Sequence, residues 1–416
     1  MIKVADLELP TFEDIDVSSK KVLLRVDFNS PVERESKKLL DTSRIKAHVE
    51  TINELIKMGS SVVIITHQGR PGDEDFSTLE MHRDVLSSEL GTDVGFVSDI
   101  FGPCALEEIK KLGKGEVLML DNIRLASEEL IEASPEAQSK TYLVKRLAPL
   151  FDVYINDAFA TAHRSQPSLV GFPMVLPSAA GRLMEKELVA LSKVFNLEES
   201  PKVFVLGGGK VLDSIRIIEN LSKKRIADRI LLGGLVAEVF ALAKGVNIGD
   251  SNKKMLENQG FLPLIPRARK VLLSGAPIEI PVDFVVENQN SVEENYATTV
   301  KGTIRDIGPE TVNIYSTLLS EAKVVVLRGP MGVIEDEKFR TGTLKLMNSA
   351  FSSDSYTIIG GGHLISLLQF AEVSKAKKVH ISTGGGALLL FLAGERLPAL
   401  DALSQSIRVI KNENKG

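Results

Sequence analysis

The residues best suited to chemistry in this chain are cations and glycines that follow apolar runs. In the stretch 203–214 (VFVLGGGKVLDS), four apolar residues lead into Gly207, Gly208 and Gly209, then Lys210, then a helix-like segment. Such a run suits a strand buried on both faces, and the glycines let the backbone turn tightly and approach a ligand. Lys210 adds a cation where a helix begins, beside exposed backbone N–H groups, which together suit an anion such as phosphate. A plain strand-to-helix turn with a solvated lysine fits these residues equally well when they are taken alone.

The first half concentrates cations in the same kind of place. Segments 25–29 (RVDFN), 66–71 (THQGRP), 121–124 (DNIR) and 156–165 (NDAFATAHRS) each follow an expected strand, and Arg44 joins them after the loop at 32–41. Arg44, Arg70, Arg124 and Arg164, with His67 and His163, thus fall along one edge. Residues 1–190 contain 22 Lys and Arg against 31 Asp and Glu, so the half is acidic while this edge is basic. A lone arginine is usually a surface ion-pair partner. Four at successive strand ends point instead to a small, multiply anionic substrate gripped by two-pronged guanidinium contacts. Asp27 and Asn29, set among these cations, would accept from substrate hydroxyls or orient the arginines. Neither histidine has metal-ligand spacing with another.

The second half supplies glycine turns at 207–209, 233–234, 329–332, 360–362 and 384–386. Turns that lead from strand into helix make a polyphosphate cradle. Neither a P-loop nor a complete dinucleotide fingerprint is present, since Leu212 stands where the third glycine of the latter belongs. An anion-binding half and a polyphosphate-binding half imply phosphoryl transfer, which needs positioning and charge neutralisation above all. A nicotinamide dehydrogenase and a non-catalytic nucleotide-binding scaffold share the same outline and stay open on these grounds.

The elements that must position these residues follow from periodicity. Strands are expected at 21–27, 62–66, 94–97, 116–120 and 153–156, separated by helices at 43–58, 78–90, 103–112 and 135–150. The pattern restarts with strands at 202–206, 229–232, 323–327, 356–359 and 378–381. Alternation of this kind predicts an α/β fold of two doubly wound parallel-sheet domains. Segment 274–311 breaks the rhythm with Pro277, Pro281, Asn288, Asn290 and Gly302, and predicts irregular or antiparallel structure. Segment 178–195 reads as one unbroken helix, fitting equally a strut between the halves or a helix belonging wholly to one of them, and 398–410 reads as a terminal helix. The expected domains are therefore 1–177, the linking helix 178–196, 197–395, and a terminal segment 396–416.

Composition bounds the rest. A chain of 416 residues with 44% hydrophobic and 25% charged content has material for two cores. Its net charge of −5 and the lack of a basic cluster interleaved with aromatics argue against nucleic acid. No apolar run reaches membrane-spanning length, and acids in the first ten residues argue against a signal peptide. The single cysteine, Cys104, fits a reducing cytoplasm and is expected as a small buried apolar residue.

The motifs RVDFNSP (25–31), THQGRP (66–71), NDAFATAHR (156–164), GRLMEKEL (181–188), VLGGGKVLDSI (205–215), GPMGVIE (329–335) and STGGGA (382–387) resemble the phosphoglycerate kinase family in order and spacing. Segments 231–249 and 360–364 (GGGHL) look like its archaeal branch. The resemblance implies Rossmann-like domains that close by a hinge, and reversible transfer from 1,3-bisphosphoglycerate to ADP giving 3-phosphoglycerate and ATP. It also implies Mg2+ carried with the nucleotide, a cytoplasmic location and a monomer. By motif position, Asp27, Asn29, Arg44, His67, Gln68, Gly69, Arg70, Arg124 and Arg164 would bind the glycerate ligand. Arg44, Lys210, Gly361 and Gly385 would face the phosphoryl group in flight. Gly207, Gly208, Lys210, Pro330, Glu335, Gly361, Gly362, His363 and Leu364 would bind the nucleotide, and the terminal segment would return to the first domain. Three positions depart from the wider family: Ser214 where a second lysine is usual, His363 where an aspartate near the metal is usual, and Arg328 where an asparagine is usual. The metal ligand is therefore left unassigned.

Overall fold

The computed structural model describes residues 1–33, 36, 38–289 and 291–409, so Asn290 and Ile410 lie outside the described residues. The chain forms two compact units, Met1–Ser192 with Arg396–Gly416, and Lys193–Glu395.

The first unit is built on a parallel sheet in the order Val94–Val97, Val117–Leu120, Ser61–Ile65, Lys21–Arg25, Val153–Asn156, Ser178–Ala180. Side chains alternate across it, as the two-residue period of a strand requires. Val22, Leu24, Val62 and Ile64 enter one core with residues of helices Ser43–Lys57 and Glu80–Leu90. Leu23, Val63 and Ile65 enter the other, with Pro103–Lys111 and Tyr142–Leu147. From Lys21–Arg25 the chain winds outward to one side, then returns to place Val153–Asn156 on the other. Strand order therefore reverses between these two strands, where α/β sheets bind ligands.

The second unit repeats the plan with Ile278–Glu279, Arg229–Leu232, Lys202–Leu206, Val324–Arg328, Tyr356–Gly360 and Val379–Ser382, all parallel. Here the reversal lies between Lys202–Leu206 and Val324–Arg328. The stretch of broken rhythm forms a separate antiparallel sheet of Ser291–Tyr296, Asp283–Asn288 and Thr303–Ile307.

Several expectations need correction. The helix expected over 178–195 begins only at Arg182, because Ser178–Ala180 pairs with Tyr154–Asn156 as an edge strand. Ala179 and Ala180 favour a helix on their own, and pairing with the neighbouring strand overrides that preference. The helix expected over 135–150 breaks into Pro135–Gln138, Tyr142–Leu147 and a 3₁₀ turn at Ala148–Leu150. Thr141 caps the middle piece by accepting from the Val144 N–H at 3.4 Å, and Pro149 cannot continue an α-helix. Cys104 is exposed, since its helix turns Ala105 and Ile109 to the core instead. A short hairpin of Ile2–Val4 and Leu7–Leu9 has no counterpart in the sequence reading. The terminal helix is Pro398–Gln405 and packs in the first unit: the Ala399 N–H donates to the Ala162 carbonyl at 3.1 Å, and Ser406 Oγ to Ser178 O at 3.1 Å. Among the described residues, no helix is long and apolar enough to cross a membrane.

Candidate active site

At the switch point of the first sheet, the buried Arg25 organises the surroundings. Its Nε donates to Ser168 Oγ at 3.0 Å, its Nη1 to Val26 O, and its Nη2 lies 3.2 Å from His67 Nδ1. With arginine as donor, His67 Nδ1 must accept, which places any proton of the neutral ring on Nε2. Burial and then the charges of Arg25, Arg164 and Arg44 hold His67 well below the usual imidazole range, so it is neutral at physiological pH. Behind Arg25, Ser168 Oγ donates to Glu129 Oε1 at 2.5 Å and the Ser168 N–H to Oε2 at 3.1 Å. Burial pushes the Glu129 carboxyl up to about 7, opposed by the charge of Arg25 and by both Ser168 bonds.

Around this post several groups are held by backbone or by one another. Arg44 bonds Asp27 and stays 42% exposed, which leaves donors free for a ligand. The Asp27 N–H donates to His48 Nε2 at 3.2 Å, and His48 Nδ1 lies 2.8 Å from Asp157. Asn29 Oδ1 accepts from the Gly69 N–H at 2.8 Å, and the buried Arg124 donates to Gly69 O. Gly69 has φ +63°, and a Cβ there would sit 2.6 Å from Asp75 Oδ1, so only glycine closes this turn. Arg70 is exposed and Arg164 half-buried, and neither has an ion-pair partner among the described residues. Burial, then Arg70 and Arg25, lower the pKa of Arg164, the mark of cations crowded together. His163 is half-buried, and its Nδ1 has no partner among the described residues.

Gln68 plays a different part from the one expected. Fully buried, it accepts from the Ser30 N–H at 3.0 Å and donates to the carbonyls of Ser30 and Asp75 at 3.0 and 3.2 Å. Its side chain holds two loops together and has no donor to offer a substrate.

In the second unit Leu232, Leu206, Arg328, Gly360 and Ser382 stand at one level of the sheet, so the turns after them share one edge. The glycines there do two jobs. Gly207 and Gly208 donate to Arg328 O at 2.8 Å and Pro330 O at 2.7 Å, and a Cβ on Gly329 would lie 2.2 Å from Gly207 O. Glycine at this pair is explained by loop packed on loop. Gly362, Gly385 and Gly386 differ, with open space where a Cβ would go. Lys210 is exposed ahead of helix Val211–Lys223 and lines a cleft of about 210 Å³ with Asp213 and Gly386. Glu335 and His363 are exposed, whereas Pro330 is buried. Leu364 is buried in the core. Ser214 is buried in its helix.

Sequence reasoning passed over Glu129 and Ser168. A glutamate in an acidic run and a serine after a proline carry no signal until the fold brings them to Arg25. Arg328 did carry one, as a charge closing the apolar strand VVVLR.

Among the described residues no group of three His, Cys, Asp or Glu side chains could hold a metal ion. The residues present do not fit a metal cage made by the protein. A magnesium ion takes its ligands mainly from phosphates and water and needs no such cage.

Comparison with known proteins identifies the family. Residues 12–395 match the family described as phosphoglycerate kinase. The chain is 63% identical to a phosphoglycerate kinase of Sulfurisphaera tokodaii and 62% identical to one of Sulfolobus acidocaldarius, each comparison covering 98% of both chains. Among solved structures, it is similar to the phosphoglycerate kinase of Pyrococcus horikoshii, with TM-score 0.85 and 42% identity over 96% of this chain and 100% of the other. That of Coxiella burnetii gives TM-score 0.79 and 31% identity over 96% and 99%.

Proposed function

The chain belongs to the phosphoglycerate kinase family, and from that premise we propose how its two units divide the work. The reaction is reversible phosphoryl transfer between 1,3-bisphosphoglycerate and ADP, giving 3-phosphoglycerate and ATP. The first unit binds the glycerate ligand. Arg44, Arg70, Arg124 and Arg164 meet its phosphate and carboxylate oxygens, His67 donates from Nε2, and Asp27 and Asn29 accept from its hydroxyl. Gln68 and Gly69 serve by shaping the loop that carries Arg70.

The second unit binds ADP or ATP. Gly361, Gly362, His363 and Gly385 offer the phosphates open backbone, Gly207, Gly208 and Pro330 form the clasp beneath, and Glu335 reaches the ribose. Arg44 and Lys210 neutralise charge on the phosphoryl group as it moves directly and in line between carboxylate and ADP oxygens. Bringing the two ligands end to end calls for a closing hinge. Magnesium, if carried in with the nucleotide, would supply charge neutralisation at the phosphates. The protein acts in the cytoplasm as a monomer.

The observation carrying this reading is the crowding of Arg164 with Arg70 and Arg25 at a sheet switch point, an excess of cations that a multiply anionic ligand would relieve. A coupled assay supplying 1,3-bisphosphoglycerate, ADP and magnesium is expected to show ATP formation. No turnover by folded protein would refute the reading.

A further inference from the structure

Arg328 closes strand Val324–Arg328 at the switch point of the second sheet, in register with Leu206 on one side and Gly360 on the other. It is half-buried, and its guanidinium makes no hydrogen bond or ion pair among the described residues. Nη1 is sealed from solvent under the turn that follows: ideal Cβ atoms on Gly360 and Gly361 would lie 3.2 and 3.9 Å from it. Asp213 is the acid whose field reaches it, at more than ion-pair distance. Burial outweighs that field and pulls the arginine down to about 10, where it remains charged at neutral pH.

A charged guanidinium nitrogen such as Nη1 is costly to hold out of solvent with no acceptor. Arginines placed for stability alone find carboxylates or carbonyls, as Arg182 does with Glu54 and Glu185 in the first unit. Ser214, buried in the helix beside Asp213, brings no charge of its own. Arg328 therefore stands at the ligand-binding point of its sheet as a cation waiting for an anion.

We propose that Arg328 is a further phosphate-binding residue, whose guanidinium donates to the phosphate chain of the bound nucleotide from between the Gly207 and Gly360 turns. This rests on the reading that the second unit binds ADP and ATP. The bond forms only with the phosphates, so the base and ribose are indifferent to it.

The test compares binding of ADP and of adenosine to the full-length protein and to Arg328→Met and Arg328→Lys. Loss of a charge-assisted bond in Arg328→Met is expected to weaken ADP by about 10- to 100-fold, with adenosine unchanged within about twofold. Arg328→Lys keeps the charge without the fork and is expected to fall between. Equal weakening of both ligands would mark a structural role, and unchanged ADP binding no role; either overturns the proposal. If the methionine variant fails to fold, as judged by circular dichroism and thermal unfolding, the ratio of ADP to adenosine binding in the lysine variant decides by the same criteria. Failure of the unsubstituted protein to bind ADP would overturn the nucleotide reading itself and this proposal with it.

Discussion

The two sheet edges handle positive charge differently. In the first unit Arg25, Arg124 and Arg44 already hold the protein's own acceptors, Ser168, Gly69 and Asp27, so these three are fixed before any ligand arrives, while Arg70 and Arg164 have no ion-pair partner among the described residues. In the second, Lys210 and Arg328 have no such partners among the described residues, and the shape of the edge comes from loops clasped backbone to backbone. A small rigid substrate rewards the first design, because preorganised donors lose little entropy on binding. A flexible polyphosphate suits the second, where the ligand itself supplies the missing acceptors. The lesson is that the count of cations at an edge matters less than whether each is already spoken for.

The largest effect expected from this contrast is at Lys210. An unbraced lysine facing the moving phosphoryl group should matter most in the transition state. Lys210→Ala is expected to lower kcat by about 10²- to 10³-fold while leaving the KM for 3-phosphoglycerate within about threefold. Steady-state kinetics with each substrate varied in turn checks this. A loss confined to KM would place Lys210 in ground-state binding and remove half of the contrast.

Much of this was legible in the sequence, because strands buried on both faces read as apolar runs and the residue that ends each run is fixed by the same pattern. The apolar runs at Lys202–Leu206 and Val94–Val97 coincide with their strands to the residue. What escaped depended on partners distant in the chain. Ser178–Ala180 is a strand only because Tyr154–Asn156 lies beside it, and Gln68 is structural only because Ser30, His82 and Asn122 converge on it. Gly207 and Gly329 illustrate the same limit from the other direction: glycine marked the turns, but whether it made room for a ligand or for another loop required the contact itself.

A second effect separates an acid with no link to either edge from one wired to a site. Glu238, buried in helix Gly234–Lys244, has an Oε2 with no partner among the described residues, and burial pushes its carboxyl up to about 8. A carboxyl raised from about 4.5 to about 8 on folding binds more protons folded than unfolded across that window. Stability from this group is therefore greatest below about pH 4.5 and is lost as pH rises towards 8, a cost on the order of a few kcal/mol when complete. Glu238→Gln, which cannot ionise, is expected to flatten this part of the decline. Its thermal midpoint should gain on the unsubstituted protein from pH 5 to pH 8, with both KM values unchanged. Parallel pH profiles of the two proteins would show that Glu238 is not the group responsible.

Glu129 gives the subtlest test, because its charge reaches the glycerate site only through Ser168 and Arg25. Held near 7 by burial, it is largely protonated at pH 6 and largely ionised at pH 8, where its negative charge steadies the buried Arg25 that positions His67. Glutamine imitates the protonated form. Glu129→Gln is thus expected to match the unsubstituted protein at pH 6 and to show a KM for 3-phosphoglycerate about 3- to 10-fold higher at pH 8. The KM for the nucleotide should not move at either pH. A residue that merely fills space would shift both constants, or neither, without regard to pH. A divergence confined to the glycerate side and to high pH would therefore identify Glu129 as the support on which the preformed edge depends, and an effect independent of pH would mean that the bracing of Arg25 comes from Ser168 and the surrounding backbone alone.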